Sequence, residues 1–217
     1  MKRKAIGIRS KDRLSSLPDE ILVRILSFIP TKQVITSTTL LSKRYRFLWF
    51  SLSSLIFHYD GNDGRSPWFT DFIAATLMFN NSKTLDKFSI KFEFWNRRCN
   101  GITTVNAWLR YAVMKSVKEL HLHLSSSQHI YSLPKSIFEN NVVEILNFKG
   151  CEFDAIPNTV SWGSLKSFSA TDCGGISRDT IRDIVKGSPK IVCLDIIDCH
   201  DADRGRNVDY HYEFIRC

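Results

Sequence analysis

The sequence predicts an α+β fold in two parts: a three-helix N-terminal module, then a short, irregular repeat solenoid built on a parallel sheet. Two observations predict it. Between Asp12 and Trp49, apolar residues fall at helical spacing around two helix-delimiting prolines. From Leu85 onward an apolar frame recurs, and three of its copies end in cysteine.

In the first part, Pro18 suits the opening position of a helix, which needs no amide hydrogen, and Asp19 and Glu20 put negative charge in the first turn. Ile21, Leu22, Ile25, Leu26, Phe28 and Ile29 then sweep about 160° of helix surface, wider than the roughly 100° stripe of one core face. Pro30 ends the helix by keeping Ile29 out of the α region. Thr31 is placed to cap a second short helix carrying Val34, Ile35 and Leu41. A third, from about Ser42, shows Leu41, Tyr45, Leu48 and Trp49 on one face. So small a segment does not close its own core. Its surplus apolar surface must meet a neighbouring domain or a partner.

A turn-rich break over 61–67 follows, too short for a floppy tether, and then a helix from Pro67 to Phe79. Beyond it the frame repeats. Val143, Leu146, Phe148 and Cys151; Leu165, Phe168, Ala170 and Cys173; and Ile191, Leu194, Ile196 and Cys199 match the leucine-rich-repeat core L-x-x-L-x-L-x-x-N/C. Weaker copies precede them: Leu85, Phe88 and Ile90 end in Glu93, and Val117, Leu120 and Leu122 end in Ser125. The register residues Phe88, Leu120, Leu146, Phe168 and Leu194 lie 32, 26, 22 and 26 residues apart, so the first interval implies an insertion. Each copy supplies a short strand whose apolar positions point inward, and stacking the copies builds the core that one alone cannot. Ser177 can cap a returning helix that ends near Gly187 and Pro189; Pro134 to Phe138 and Ile156-Pro157 read as shorter returns.

The first part closely resembles the F-box, and the whole chain the plant F-box/leucine-rich-repeat (FBD-like) family. The resemblance rests on Asp12-Arg13-Leu14-Ser15, Leu17-Pro18-Asp19-Glu20-Ile21-Leu22, Ile25 to Lys32, and Leu41-Ser42-Lys43-Arg44-Tyr45-Arg46 ending in Leu48-Trp49. Tyr45 departs from it, standing where the family usually has Trp. The resemblance implies a module that binds a Skp-type adaptor, and through it a cullin, so that the repeats present a target for ubiquitin transfer. On that reading Leu17, Pro18, Ile21, Leu22, Ile25, Leu41 and Trp49 form the adaptor-docking surface or its immediate support. The outward strand positions Glu119, His121, His123, Ile145, Asn147, Lys149, Asp195 and Ile197 form the target-binding concave face, with Lys87, Ser89, Lys91, Ser167, Ser169, Thr171 and Cys193 beside them. The expected organisation is a basic arm (1–11), the F-box (12–58), a linker and connecting helix (59–84), about five repeats (85–200) and a polar tail (201–217). Many similar proteins carry more repeats and a further C-terminal domain, so a shortened protein that binds the adaptor without recruiting a target stays open as the alternative.

Charge and motifs exclude other classes. Residues 1–49 hold eleven Lys/Arg against three Asp/Glu, whereas the remainder is balanced at nineteen of each. The excess suits steering toward an acidic partner, and Lys2-Arg3-Lys4 is a solvated tail or a weak nuclear-import patch. Nucleic-acid binding is not expected from a balanced repeat region without zinc-finger spacings. No apolar run reaches transmembrane length and no secretory leader is visible, so an intracellular protein, nuclear or cytoplasmic, is expected, with no membrane partner. The sequon Asn80-Asn81-Ser82 then has no meaning. Six cysteines without a CxxC pair read as thiols. Glu119, His121 and His123 share one face of a strand and could hold a metal, as could His200-Asp201-Ala202-Asp203; solvent-facing polar alternation is the simpler reading. No catalytic motif is present. A non-enzymatic subunit with no cofactor and no metal is expected.

Overall fold

The computed structural model describes residues 13–41, 43–59, 67–94, 101–126, 131–154, 160–200 and 207–213. Helix α1 (Asp19–Leu26) starts from Pro18, which sits extended just outside it and accepts the amides of Ile21 and Leu22 at 3.2 and 3.1 Å. It stops short of Pro30. Ser27 donates its hydroxyl back to the Val23 carbonyl at 2.9 Å, and Phe28 and Ile29 follow as tight turns. In α2 (Thr31–Leu41) the expected cap is absent. The Pro30 carbonyl opens the helix by accepting the Val34 amide, while the buried Thr31 hydroxyl accepts the Ile56 amide at 2.8 Å. The third expected helix is a 3-10 helix over Tyr45–Ser51; Ser42 lies outside the described residues.

Strand β1 (Ser54–His58) comes next. Although it falls inside the segment read as F-box, it pairs in parallel with β2 (Lys87–Phe94) and belongs to the repeat sheet. Leu52, Leu55 and Phe57 are buried in the repeat frame as a sixth copy. Helix α3 (Pro67–Phe79) has the expected bounds, and α4 (Gly101–Met114) is the insertion that the first interval implied. After β3 (Glu119–Ser126) come the short β4 (Tyr131–Ser132), a 3-10 turn at Lys135–Ile137, β5 (Ile145–Lys149) and the short β6 (Cys151–Glu152). Then follow β7 (Ser167–Thr171), α5 (Arg178–Gly187), β8 (Cys193–His200) and β9 (Asn207–Glu213). Ser177 caps α5 as expected, its hydroxyl accepting the Thr180 amide at 3.1 Å. Ile156-Pro157 lies outside the described residues.

The main sheet runs β1-β2-β3-β5-β7-β8-β9, with every pairing parallel except β8–β9. Leu55, Phe88, Leu120, Leu146, Phe168 and Leu194 stand side by side in register, and so do Phe57, Ile90, Leu122, Phe148, Ala170 and Ile196. All twelve are buried, as parallel strands backed by helices require. The region read as a polar tail supplies β9, whose antiparallel pairing covers the last parallel edge.

At Cys151, Cys173 and Cys199 the chain turns after passing through a left-handed residue: Gly150 (φ 66°), Asp172 (φ 52°) and Asp198 (φ 52°). The turn brings each thiol inward. Cys173 Sγ donates to the Phe148 and Thr171 carbonyls (3.7 and 3.3 Å), and Cys199 Sγ to those of Ala170 and Ile197 (3.5 and 3.4 Å). Gly150 is required where it stands, since a Cβ there would lie 1.9 Å from the Leu124 carbonyl oxygen. Inside this ladder Trp162 stacks between Phe138 and Phe168 at 5.6 and 5.7 Å and donates its indole N–H to the Ile137 carbonyl.

The approach to β1 is tied to the helices that follow it. Asn80 is buried; its amide donates to the Leu52 carbonyl at 2.9 Å and its oxygen accepts the Tyr111 hydroxyl at 3.0 Å. The sequon asparagine therefore joins α3, α4 and the approach to β1.

Candidate functional site: two interaction surfaces

The wide apolar sweep of α1 divides in two. Leu22 is 2 % exposed, and Val23, Leu26 and Ile29 pack against the core. Ile21, Ile25 and Phe28, at i, i+4 and i+7, remain exposed, Phe28 at 79 %. Leu14, Leu40 (87 %) and Phe47 are further exposed apolar residues of the same module. Pro18 is exposed and Leu17 partly so. Trp49 is half-buried, edge-on to Phe50 at 4.3 Å and to Phe79 of α3 at 6.3 Å. Leu22 and Trp49 thus support the module from beneath, Trp49 at the seam with the repeats. The Leu41 side chain lies outside the described residues. Phe28, Leu40 and Phe47 were not singled out as docking residues from sequence; the exposed i, i+4, i+7 continuation from Ile21 was the available signal for Phe28.

The second surface is the open face of the sheet. The outward residues named from the repeat register are all on it, because their strand neighbours fill the core. Three lateral rows cross it. The first is Lys87, Glu119, Ile145, Ser167 and Cys193; the second is Ser89, His121, Asn147, Ser169 and Asp195; the third is Lys91, His123, Lys149, Thr171 and Ile197. Lys87 Nζ lies 3.3 Å from Glu119 Oε2, His123 Nε2 is 3.0 Å from Asn147 Oδ1, and Cys193 donates to Asp195 at 3.5 Å. Ser89 is buried rather than presented. His121 is largely sunk between its neighbours, its Nε2 3.7 Å from Glu119 Oε2, too long for a hydrogen bond. Burial first, and then the Lys87 charge, hold its imidazole below the usual pKa, with Glu119 pulling the other way. At neutral pH it presents an uncharged ring.

Helix α1 walls this face at its first row. A cleft of about 820 Å³ opens between Val23, Arg24 and Phe28 and the strand starts at Ser54, Ile56, Lys87 and Glu119. Beside it Lys118 donates to Asp86 at 2.9 Å, which holds the Asp86 carboxyl below its usual range. Among the described residues no three His, Cys, Asp or Glu come together as a metal site, and no helix is long and apolar enough to cross a membrane. Of the His200-Asp201-Ala202-Asp203 cluster, only His200 lies within the described residues. Cys173 and Cys199 are poor nucleophiles: Cys173, donating its thiol hydrogen toward Cys151, is raised to about 12, and Cys199, donating toward Cys173, is raised as well.

Comparison with known proteins places the chain in one family. The F-box domain model matches residues 14–57, and the model described as "At1g61320/AtMIF1, LRR domain" matches 78–203. Among Arabidopsis thaliana relatives, the F-box/FBD/LRR-repeat protein At5g56420 is 30 % identical over 87 % of this chain and 44 % of its own length. The putative F-box/FBD/LRR-repeat protein At4g26350 is 31 % identical over 94 % of the chain and 48 % of its own. The F-box/LRR-repeat protein At5g02910 is 34 % identical over 89 % and 40 %. The chain spans about half the length of the curated relatives it matches. No solved structure matches it. With an F-box model at one end and a repeat model over most of the remainder, the chain belongs to the plant F-box/LRR-repeat proteins.

Proposed function

We propose that this chain is a substrate-recruiting subunit of a Skp-cullin-F-box ubiquitin ligase, its F-box holding a Skp-type adaptor and its open sheet face holding a target protein. It performs no bond chemistry; it supplies proximity for ubiquitin transfer by other subunits. The observation that carries this reading is the exposed stripe Ile21, Ile25 and Phe28 beside Pro18, on a module whose other apolar face is already spent on the repeats. Exposed apolar patches of this kind mark sites of association. Leu17, Pro18, Ile21 and Ile25 meet the adaptor, with Leu22, Leu41 and Trp49 beneath them. Glu119, His121, His123, Ile145, Asn147, Lys149, Asp195 and Ile197 meet the target, and no cofactor takes part.

Affinity purification of the tagged chain from plant cells, with the proteasome blocked, tests this. The expected result is recovery of a Skp-type adaptor, a cullin and at least one ubiquitinated protein. Recovery of adaptor and cullin without any protein whose ubiquitination depends on the chain would replace the reading with an adaptor-binding protein that recruits no target. Failure to recover the adaptor would overturn it.

A further inference from the structure

Two helices behind the sheet meet solvent in opposite ways. Helix α5, at the far end of the solenoid, exposes Arg178, Asp179, Arg182 and Lys186. Helix α3, next to the F-box, has a single charged residue, Asp71. Its inward face is spent on the core through Phe69, Ile73 and Leu77, yet its outward face is apolar too: Ala74, Ala75, Met78 and Phe79 are exposed, Met78 at 82 %. Met78 also borders an apolar groove of about 550 Å³ between α3 and α4, lined by Ala74, Leu77, Ala107 and Trp108. A helix apolar all round is one that is covered all round.

This outward face is continuous with the F-box. The 3-10 helix Tyr45–Ser51 opens at Arg44, and side chains three apart eclipse in such a helix, so Arg44, Phe47 and Phe50 form one line. At its start Arg44 holds the Leu17 carbonyl, beside the segment that presents Pro18. Exposed Phe47 then meets Phe50 at 5.7 Å, and Phe50 stacks on Phe79 of α3 at 5.8 Å. The join is fixed: the Asn81 amide donates to the Phe50 carbonyl at 2.8 Å, and the Ser51 hydroxyl to Asn81 Oδ1 at 3.1 Å.

Resting on the ligase-subunit reading, we propose that the adaptor's footprint does not end at the F-box but crosses Phe47 and Phe79 onto α3, where an apolar segment of the same adaptor molecule covers Met78 and the groove beside it. A stable interface takes about 20–30 residues from each partner, more than Leu17, Pro18 and the α1 stripe supply. The line from Arg44 to Phe50 advances about 12 Å, at about 2.0 Å per residue, and so carries the docking surface from the start of α1 to the end of α3 without a break. The target is not the occupant, because it meets the open face and α3 lies on the opposite side of the sheet. Met78 and Phe79 are therefore adaptor-docking residues outside the F-box.

The test titrates the full chain with purified Skp-type adaptor by isothermal calorimetry. Met78→Glu is expected to weaken binding at least about tenfold, since an apolar contact is lost and a charge is buried in its place. Ile102→Glu, at an exposed apolar residue in the first turn of α4, should leave binding unchanged. Hydroxyl-radical footprinting of the unaltered chain reads the same surface without a substitution: adaptor should suppress oxidation of Met78 and Phe79 and not of Ile102. Full affinity in Met78→Glu, an equal loss in Ile102→Glu, or undiminished oxidation of Met78 in the complex would each overturn the proposal. So would protection that grows with chain concentration in the absence of adaptor, which would assign the face to a second copy. The ligase reading is scored separately. No binding by the unaltered chain refutes it, whereas binding that is lost in Ile21→Glu/Ile25→Glu but indifferent to Met78→Glu refutes the extension onto α3 alone.

Discussion

Arg44 locks the F-box onto Asp19 across twenty-five residues: its Nε donates to Asp19 Oδ1 at 2.8 Å, and a terminal nitrogen lies 2.6 Å from the same oxygen. Its other donors reach the Ser15 carbonyl at 2.6 Å and the Leu17 carbonyl. One guanidinium thus fixes the approach to α1, where Leu17 and Pro18 are presented. The ion pair is exposed and worth under about 1 kcal/mol, but the planar fork to two carbonyls is something lysine does not reproduce. Arg44→Lys should therefore weaken adaptor binding nearly as much as Arg44→Ala, by about tenfold, with little change in the melting of the repeats. Isothermal titration with purified adaptor checks this; full rescue by lysine would leave charge, not the fork, as the cause.

The exposed stripe makes a sharper demand. Ile21→Glu/Ile25→Glu should abolish adaptor capture and leave the thermal melt unchanged, since neither side chain is spent on the core. Leu17→Ala/Pro18→Ala should weaken capture by at least tenfold, each lost apolar contact costing up to about 1.5–3 kcal/mol. A folded Ile21→Glu/Ile25→Glu protein that still co-purifies with adaptor would move the docking surface elsewhere.

Two left-handed repeat positions should differ in how much they need glycine. Gly150→Ala forces a Cβ into the Leu124 carbonyl at a left-handed φ and should cost more than about 2 kcal/mol. Asp172→Gly relieves a left-handed residue while freeing the unfolded chain, two effects near 1 kcal/mol that offset. Leu146→Ala, a pure cavity, should cost about 2–5 kcal/mol. Urea melts rank the three; if Asp172→Gly proves as damaging as Gly150→Ala, the Asp172 side chain has a role beyond its backbone angle.

The repeat register was legible because burial there follows a local pattern: a cysteine three residues after an inward position dates the strand before it. Leu52, Leu55 and Phe57 obey the same frame without a cysteine. They follow directly on an aromatic helical run, so the local pattern continued the preceding module and β1 was missed. Strand β9 was hidden for a different reason. Its partner is a strand edge, and an edge recruits backbone, which leaves little trace in side-chain identity. The docking face was legible in outline from the excess of apolar surface. Its division was not, since Leu22, Val23, Leu26 and Ile29 turn inward onto a core built by residues far along the chain, and the Thr31 bond that fastens α2 to the sheet reads locally as a cap.

The thiols should behave as packing groups. Cys173 is raised to about 12, so its thiolate is scarce at any pH where the protein is handled. Iodoacetamide at pH 8 should label Cys193, which is half-exposed, well before Cys151, Cys173 and Cys199. A thiol whose pKa is raised on folding contributes its stability below the unfolded value near 8.5 and loses it as pH climbs toward the folded value. Stability should therefore decline from about pH 9 upward, and less steeply in Cys173→Ala, though that variant starts lower. Mass-spectrometric labelling and melts across pH 7–11 check both; early labelling of Cys173 in the folded chain would contradict its burial.

Thr31 offers the cleanest test of how the F-box is fastened. Its buried hydroxyl is the acceptor for the Ile56 amide on the outer edge of β1, so it satisfies a donor that the parallel sheet leaves unpaired. Thr31→Val keeps the shape and removes the acceptor, and should cost about 1–3 kcal/mol for the stranded N–H. Thr31→Ser keeps the acceptor and should cost less. Because the bond joins α2 to the sheet, the damage should appear as faster hydrogen exchange at Ile56 and its β1 neighbours before it appears in β5 or β7. Exchange that speeds up evenly across all strands would mean that the F-box and the repeats unfold as one unit, and that Thr31 stabilises the whole rather than the seam.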